Sequence, residues 1–518
     1  MPKGSKQQAA DHSDAMGQNI EFDDFSGGLN TFDPEYLSPL NQSPDLDNIV
    51  ILDKGFKKRN GDSAFNSSAM GSSSTAISGL GYIQFNSGTE FLNAVAGSNF
   101  YTSSGLSGTM ASATGAITIT SGQNNIWTPV NFNNLQIWFG GAPDAPFKYS
   151  GSGNIAALGG SPPSAYTAFQ ANNRIFAIST TGNPSRIYWP VVSNPEDWTG
   201  TGSGTADVAL SDGEALQCGI PIGPDTAILF KNSSTHLMVT TSAPFPIYQL
   251  QKGIGIAGRN AWAYANGEIF FITPGRRMRS TVDGVNFKIY PSDINDIFDS
   301  INTNRLAYIQ GTYYQALEWI IFMVSTGSNT TNNYAIIWDL RHQCFLRCTT
   351  GFKGNVFATI QNRRLFAGHY DGKIYEKNVA TVFSDASEAS PGAIDAHWRS
   401  PFKNLGGLDT TIHPLYTTVS ALNETSSTLD LSYGFDFTSI QTTQTFSLQA
   451  IGSLWDVAQW DVGSWGGQNA VLLRQFNYGR GNLFSLSMRN ATASQGFTVQ
   501  GASIRLRPNR ARKVLAQV

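Results

Sequence analysis

Residues 133–149 read NNLQIWFGGAPDAPFKY: an Asn-Asn pair, a short apolar run, a Gly/Pro break and a second short run. Asparagine tolerates the left-handed backbone of a tight hairpin turn, and a brief run of aromatic and branched residues marks a buried strand. The same phrase returns along the chain. FLNAVAG starts at Phe91, RIFAIST at Arg174, TAILFKN at Thr226, EIFFITP at Glu268, WIIFMVS at Trp319 and RLFAGHY at Arg364, several of them after Asn172-Asn173, Asn266-Gly267 or Gln361-Asn362. Second runs follow, such as IYWPV after Arg186, AIIWDL after Tyr334 and KIYEKN after Gly372.

A spacing of about 40 to 50 residues with several strands per unit belongs to a β-propeller, whose blades are four-stranded sheets around an axis. The expected fold is therefore all-β: an irregular propeller of about six to seven blades over residues 76–385. A set of unrelated hairpins in a sandwich is the competing reading. After about residue 385 the pattern changes to long alternating strands, TLDLSYGFDF (428–437) and ASIRLRP (502–508), which predicts a β-sandwich-like platform domain over 386–518. Residues 386–393, ASEASPGA, read as a linker. Residues 21–75 lie outside the repeat and are expected to pack with the platform or a neighbouring subunit, while 1–20 are polar and expected to be disordered. One helix is expected in PSDINDIFDSI (291–301), capped by Ser292, with Ile294, Ile297, Phe298 and Ile301 on one stripe; a short one is expected to open at Ser43-Pro44-Asp45.

The chain has 518 residues, 41% hydrophobic but only 14% charged, with a formal net charge of −3. No general basic field draws it to nucleic acid, so any DNA contact is local or steric. Cys218, Cys344 and Cys348 cannot all pair, and they read as reduced, buried thiols, which suits assembly in a cytoplasm. The start lacks an apolar signal core, and no apolar run is long enough to span a membrane, so neither classical secretion nor a membrane span is expected.

The residues do not point to catalysis. RSTVDGVNF (279–287) comes near the Asp-box of sialidases but fits a plain Asp-Gly hairpin turn better. The six histidines lack metal-site spacing, and no nucleophile elbow, phosphate loop or dinucleotide fingerprint appears. No cofactor, metal or catalytic residue is expected. Two basic clusters stand out: Arg276, Arg277 and Arg279 on a propeller turn, and Arg505, Arg507, Arg510, Arg512 and Lys513 near the C-terminus. They suit an acidic partner or a DNA backbone, or simply a solvated face.

Residues 21–61 contain DFSGGLN (Asp24 to Asn30), a segment with S-P-D-x-x-N (Ser43 to Asn48) and G-F-x-x-R-x-G (Gly55 to Gly61). This lead resembles the opening of bacteriophage tail proteins and is similar to that of the nozzle, or packaged-DNA stabilization, family of short-tailed phages, also called tail tubular protein B. FKNLGGLD (402–409) and the tryptophan run SLWDVAQWDVGSW (453–465) fall in the order that family shows. The resemblance implies a non-enzymatic virion tail protein, a propeller with a platform, in a homo-hexameric ring below the portal and adaptor. It further implies tail fibre or spike proteins and a plug or needle as partners, double-stranded DNA in the lumen, and a role in closing the channel and in ejection. On that reading Asp24, Phe25, Gly27, Gly28, Leu29, Trp455, Trp460, Trp465, Arg505, Arg507, Arg510 and Arg512 serve subunit or adaptor contacts. Arg276, Arg277 and Arg279 serve the DNA channel or distal loops. A glycan-binding propeller for receptor recognition is the alternative, and a propeller hydrolase a more distant one.

Overall fold

A computed structural model describes residues 18–360, 363–388, 392–405, 410–423, 427–438, 442–448 and 470–510. The chain divides into two units: residues 60–394, and a second built from both flanking segments, up to Arg59 and from Asp395.

Among the described residues the first unit contains seven four-stranded antiparallel sheets, each a meander in chain order except the last. The second blade is typical: Thr128–Phe132, Leu135–Phe139, Phe147–Tyr149 and Ala156–Ala157. The first strand of the first blade, Ile77–Gln84, lies beside the first strand of the seventh, Val356–Ile360, so the sheets close a circle. The architecture is a seven-bladed β-propeller.

Each apolar run that marks the repeat in the sequence is the second strand of a blade. That strand is covered by the adjoining blades on both faces, so it is mostly apolar, as in Trp319–Val324, where every residue is buried, while buried polar residues such as Asn93 and Gln136 bond each other across blades at 2.7 Å. Fourth strands lie at the periphery; Ala111–Ser112 is exposed at both positions. The Asn turns join first to second strands, with φ of 46° and 61° at Asn133 and Asn134, and 44° and 55° at Asn172 and Asn173. Positive φ at both central residues matches the right-handed twist of the flanking strands, which is why asparagine recurs there.

The seventh blade takes its fourth strand from the other end of the unit. Ser63 and Ala64 pair with Glu376 and Tyr375. Beside this seam Lys377 Nζ donates to Asp62 Oδ2 at 2.7 Å, to the Gly351 carbonyl at 2.6 Å and to His369 Nε2 at 3.0 Å. Both charged side chains are 1% exposed. Burial, then the neighbouring ammonium, hold His369 well below its ordinary pKa, so its ring is neutral and can accept from Lys377. Gly61 passes so close to the outgoing segment that a Cβ there would sit 1.9 Å from the Ser384 carbonyl oxygen.

Among the described residues the flanking segments form two large sheets and a small parallel pair, Gly28–Leu29 with Gln42–Ser43. One has six strands, led by the paired long strands Thr410–Asn423 and Phe497–Arg510, and the other is a five-stranded sheet around Phe484–Asn490. Each takes strands from the N-terminal segment: Gln18–Phe22, Ile49–Ile51 and Phe56–Lys58 in the first, Asp45–Asp47 in the second. The sheets meet through an aromatic core in which Trp398 packs 5.0 Å from Phe25, 6.0 Å from Phe56 and 6.1 Å from Phe22 between ring centroids. This is the β-sandwich-like platform.

Several expectations shift. The propeller unit extends beyond 76–385, because Asp62 to Ala64 complete the seventh blade. The expected linker is partly structured against it, since Ser387 N donates to Asp62 Oδ1 at 3.0 Å. Residues 43–47 form strands, not a helix. The helix Asn295–Asp299 is capped at Ile294 without a side-chain bond, so Ser292 is not its cap. Its stripe is nonetheless right: Ile294, Ile297, Phe298 and Ile301 are all buried. The Asp-Gly turn is a hairpin turn, with Asp283 Oδ1 accepting from the amides of Val285 (2.9 Å) and Asn286 (2.8 Å). All three cysteines are buried and none is in a disulfide. No helix among the described residues is long and apolar enough to cross a membrane.

Candidate functional site

The strand Ala470–Phe476 and the residues just after it carry the platform's most unusual surface. Side chains alternate across a strand, and an outer strand of a sandwich ordinarily turns its polar set outward. Here the polarity is ordinary at Leu473, which is buried, and Arg474, which is exposed, but reversed at Leu472 and over 475–478. Gln475 and Asn477 point inward, where Gln475 Nε2 donates to the Leu431 carbonyl at 3.3 Å and Asn477 Nδ2 to Thr417 Oγ1 at 2.8 Å. Leu472, Phe476 and Tyr478 point outward and are 75%, 61% and 76% exposed.

The strand pairs with Thr410–Asn423 on one side and, among the described residues, with nothing on the other. Cross-strand register builds a row on its outward face: Phe476 opposite Tyr416, Tyr416 opposite Arg505, and Arg505 opposite Asn19. The Phe476 and Tyr416 rings meet edge-on at 6.4 Å, and Arg474 lies over Tyr416 at 4.6 Å. Arg505 Nη1 donates to Asn19 Oδ1 at 2.9 Å. Three exposed apolar side chains and two guanidinium groups thus share one face, beside a strand edge that is unpaired among the described residues.

The residues singled out in the sequence are distributed differently. Phe25 and Leu29 belong to the platform's own core, 2% and 0% exposed, so their side chains are closed to a second chain. Gly27 serves a close approach within the chain: a Cβ there would meet Gln42 Cγ at 2.7 Å and Asn41 backbone at 2.9 Å. Gly28 has φ of 67°. Asp24 is exposed and accepts from Ser26 N at 2.8 Å and Asn41 Nδ2 at 3.1 Å.

Arg505 lies in the row described, Arg507 is exposed two residues on, and the backbone of Arg510 ends the last strand. Arg512, Trp455, Trp460 and Trp465 lie outside the described residues. Arg276 and Arg277 are tied to the short helix and do not form a free cationic patch. Arg277 grips the Asp299 carboxylate with both nitrogens, at 2.9 and 3.2 Å, and Arg276 donates to the Asp299 carbonyl. The hydrogen bonds from Arg277 hold the Asp299 carboxyl below its ordinary pKa. Arg279 is half-buried on the third strand of the fifth blade. Leu472, Phe476 and Tyr478 were not anticipated, although AVLLRQFNY shows apolar residues in both phases of the alternation.

The fold defines a seven-bladed β-propeller protein with the propeller inserted in a β-sandwich. No protein-family model and no curated protein matches the chain. Among solved structures it is similar to YCF48 bound to a D1 peptide, with TM-score 0.42 and 10% identity over 64% of this chain and 98% of that one. It is also similar to BamB from Moraxella catarrhalis (TM-score 0.38, 10% identity, 70% and 99% coverage) and to the WD40 propeller domain of Doa1 (0.39, 7%, 64% and 99%).

Proposed function

We propose that this chain is a non-enzymatic structural protein of a short-tailed phage tail, a nozzle subunit. In this reading copies form a hexameric ring below the portal and adaptor, extend the DNA channel, and retain the genome until ejection. The observation that carries the reading is the inverted edge strand. Burying Leu472, Phe476 and Tyr478 against another surface contributes about 1.5–3 kcal/mol per side chain, and an open strand edge offers main-chain pairing as well. The resemblance of the lead adds support, because DFSGGLN and its neighbours build the platform into which a propeller is inserted. In a head-to-tail ring the platform edge of one subunit would meet a different surface of the next. The alternative, glycan recognition by repeated exposed rings, has less to stand on: Tyr248 and Tyr264 occupy the fourth strand of one blade and the first strand of the next.

Purified protein, alone and with its adaptor, is expected to form rings visible by negative-stain microscopy and measurable by light scattering. Phe476→Asp combined with Tyr478→Asp should leave a folded monomer. A wild-type protein that stays monomeric with the adaptor present, and never enters tails, would overturn the proposal.

A further inference from the structure

The propeller's axial cavity contains a cation, Arg259, that forms no ion pair among the described residues. Near the connections between blades the cavity widens to about 420 Å³, and it shares Thr128, Asn260 and Gln310 with a second chamber of about 330 Å³ lined by first strands. Arg259, on the connection from the fourth to the fifth blade, lines the wider part. Its guanidinium lies 4.0 Å from the centroid of the Tyr166 ring. That ring is itself held in place: Gly141 backs onto it so closely that a Cβ would fall 2.1 Å from Tyr166 Cδ1, and the hydroxyl bonds Thr181 Oγ1 at 3.0 Å. Stacking fixes the plane of the guanidinium and leaves its donor edge unoccupied.

Arg259 makes no side-chain hydrogen bond or ion pair among the described residues, although burial lowers its pKa with no carboxylate to offset it. The one carboxylate in the lining, Asp144, is committed elsewhere, accepting from Thr120 N at 3.0 Å and Thr120 Oγ1 at 2.9 Å. A second guanidinium, Arg305, lies just behind the wall and is 6% exposed; its Nη1 donates to Asn124 Oδ1 at 2.6 Å, while Nε and Nη2 are buried without partners. Because arginine only donates, Asn124 must turn its oxygen toward Arg305, which leaves its amide donor for the cavity.

The remaining polar groups are neutral. Asn260 Nδ2 donates to Gln310 Oε1 at 3.1 Å, leaving one acceptor and one donor, and Gln217 adds a whole amide. A stacked, unpaired guanidinium fits a carboxylate, whose two oxygens match its fork. The Asp144 charge in the same wall disfavours a dianion such as phosphate. Amides that both donate and accept fit hydroxyl groups, and the volume suits a molecule of sugar size.

We infer that the widened mouth of the propeller axis is a binding site for a small polyhydroxylated carboxylate of the hexuronate type, its carboxylate on Arg259. The test is calorimetric titration of the purified full-length protein with glucuronate, glucose and inorganic phosphate, with a crystal soaked in glucuronate. Glucuronate is expected to bind with Kd at or below about 1 mM, glucose and phosphate at least tenfold more weakly, and the soaked crystal should place the carboxylate on Arg259. Arg259→Gln should weaken glucuronate at least tenfold, and Arg259→Lys less. If Arg259→Gln does not fold, Gln217→Leu is expected to weaken glucuronate with no change for phosphate. Equal binding of glucose and glucuronate, tighter binding of phosphate, unchanged affinity in folded Arg259→Gln, or no binding of glucuronate would each overturn the inference. None of these readouts depends on ring assembly.

Discussion

The ion pair Asp62–Lys377 joins residues more than three hundred positions apart and has no access to water. Breaking one side leaves the other as a buried, uncompensated charge, which costs about 3–5 kcal/mol, whereas replacing both by apolar residues is often close to neutral. Asp62→Ala should therefore lower the unfolding free energy of the propeller by that amount in urea denaturation, and Asp62→Leu with Lys377→Met should recover most of the loss. His397 offers a pH-dependent counterpart in the platform. Burial alone would lower its pKa, but Asp395 and Asp45, at 3.4 and 3.0 Å, outweigh this and raise it from 6.5 to about 9. Arg489 grips the far side of Asp395 at 2.7 Å, and Asp430 and Asp47 lie opposite Arg489 and His397 on the neighbouring strands.

A raised folded-state pKa stabilises fully below pH 6.5 and loses that contribution as pH climbs through about 9. Hydrogen exchange around residues 395–400 should accelerate across that window, and His397→Gln should flatten the dependence. Neither pair could be read from the sequence, because each joins residues brought together only by the finished topology.

Among elements, those whose residues answer to one rule were the most legible. Second strands are buried on both faces, so a mostly apolar run identifies them, and asparagines at positive φ mark the turns before several of them. First strands line the axis and mix polar with apolar residues, and most fourth strands are exposed, the buried Cys344–Cys348 of the sixth blade being the exception, so neither set leaves a regular periodic trace. Ser63–Ala64 is the extreme case, two residues without any pattern, which is why the boundary fell at 76. The candidate site was half legible: Arg505 was named for its charge, but the inverted face of 470–478 needed the register that sets Phe476 against Tyr416. Arg259 gave no signal at all. The turns make a local prediction. Asn133 Nδ2 reaches the Ser193 carbonyl of the next blade, and Asn134 Oδ1 accepts from Asn86 N of the previous one. Asn133→Val, which adds a branched side chain at positive φ, should cost about 1–2 kcal/mol, read as a lower Tm; Asn133→Gly should lose less.

At the scale of the whole chain, the propeller is an insertion. Its incoming and outgoing segments run side by side, with Asp62 bridged to Asp385 and Gly61 N donating to the Val382 carbonyl at 2.6 Å. A fragment of residues 60–394 should melt cooperatively, and 76–385, which lacks the closing strand and its ion pair, several degrees lower. The division of the platform between the two ends of the chain also sets an order of events during synthesis. Phe22, Phe25 and Phe56 leave the ribosome more than three hundred residues before Trp398 and Phe497, rings they pack against. For most of translation these phenylalanines lack Trp398 and Phe497, although Phe25 and Phe56 can already meet each other at 4.9 Å, while the propeller can complete itself as soon as residue 377 is available to Ser63. The sandwich is thus the last part of the molecule able to fold, and its orphaned N-terminal strands are the segment for which a ribosome-associated chaperone would have most to do.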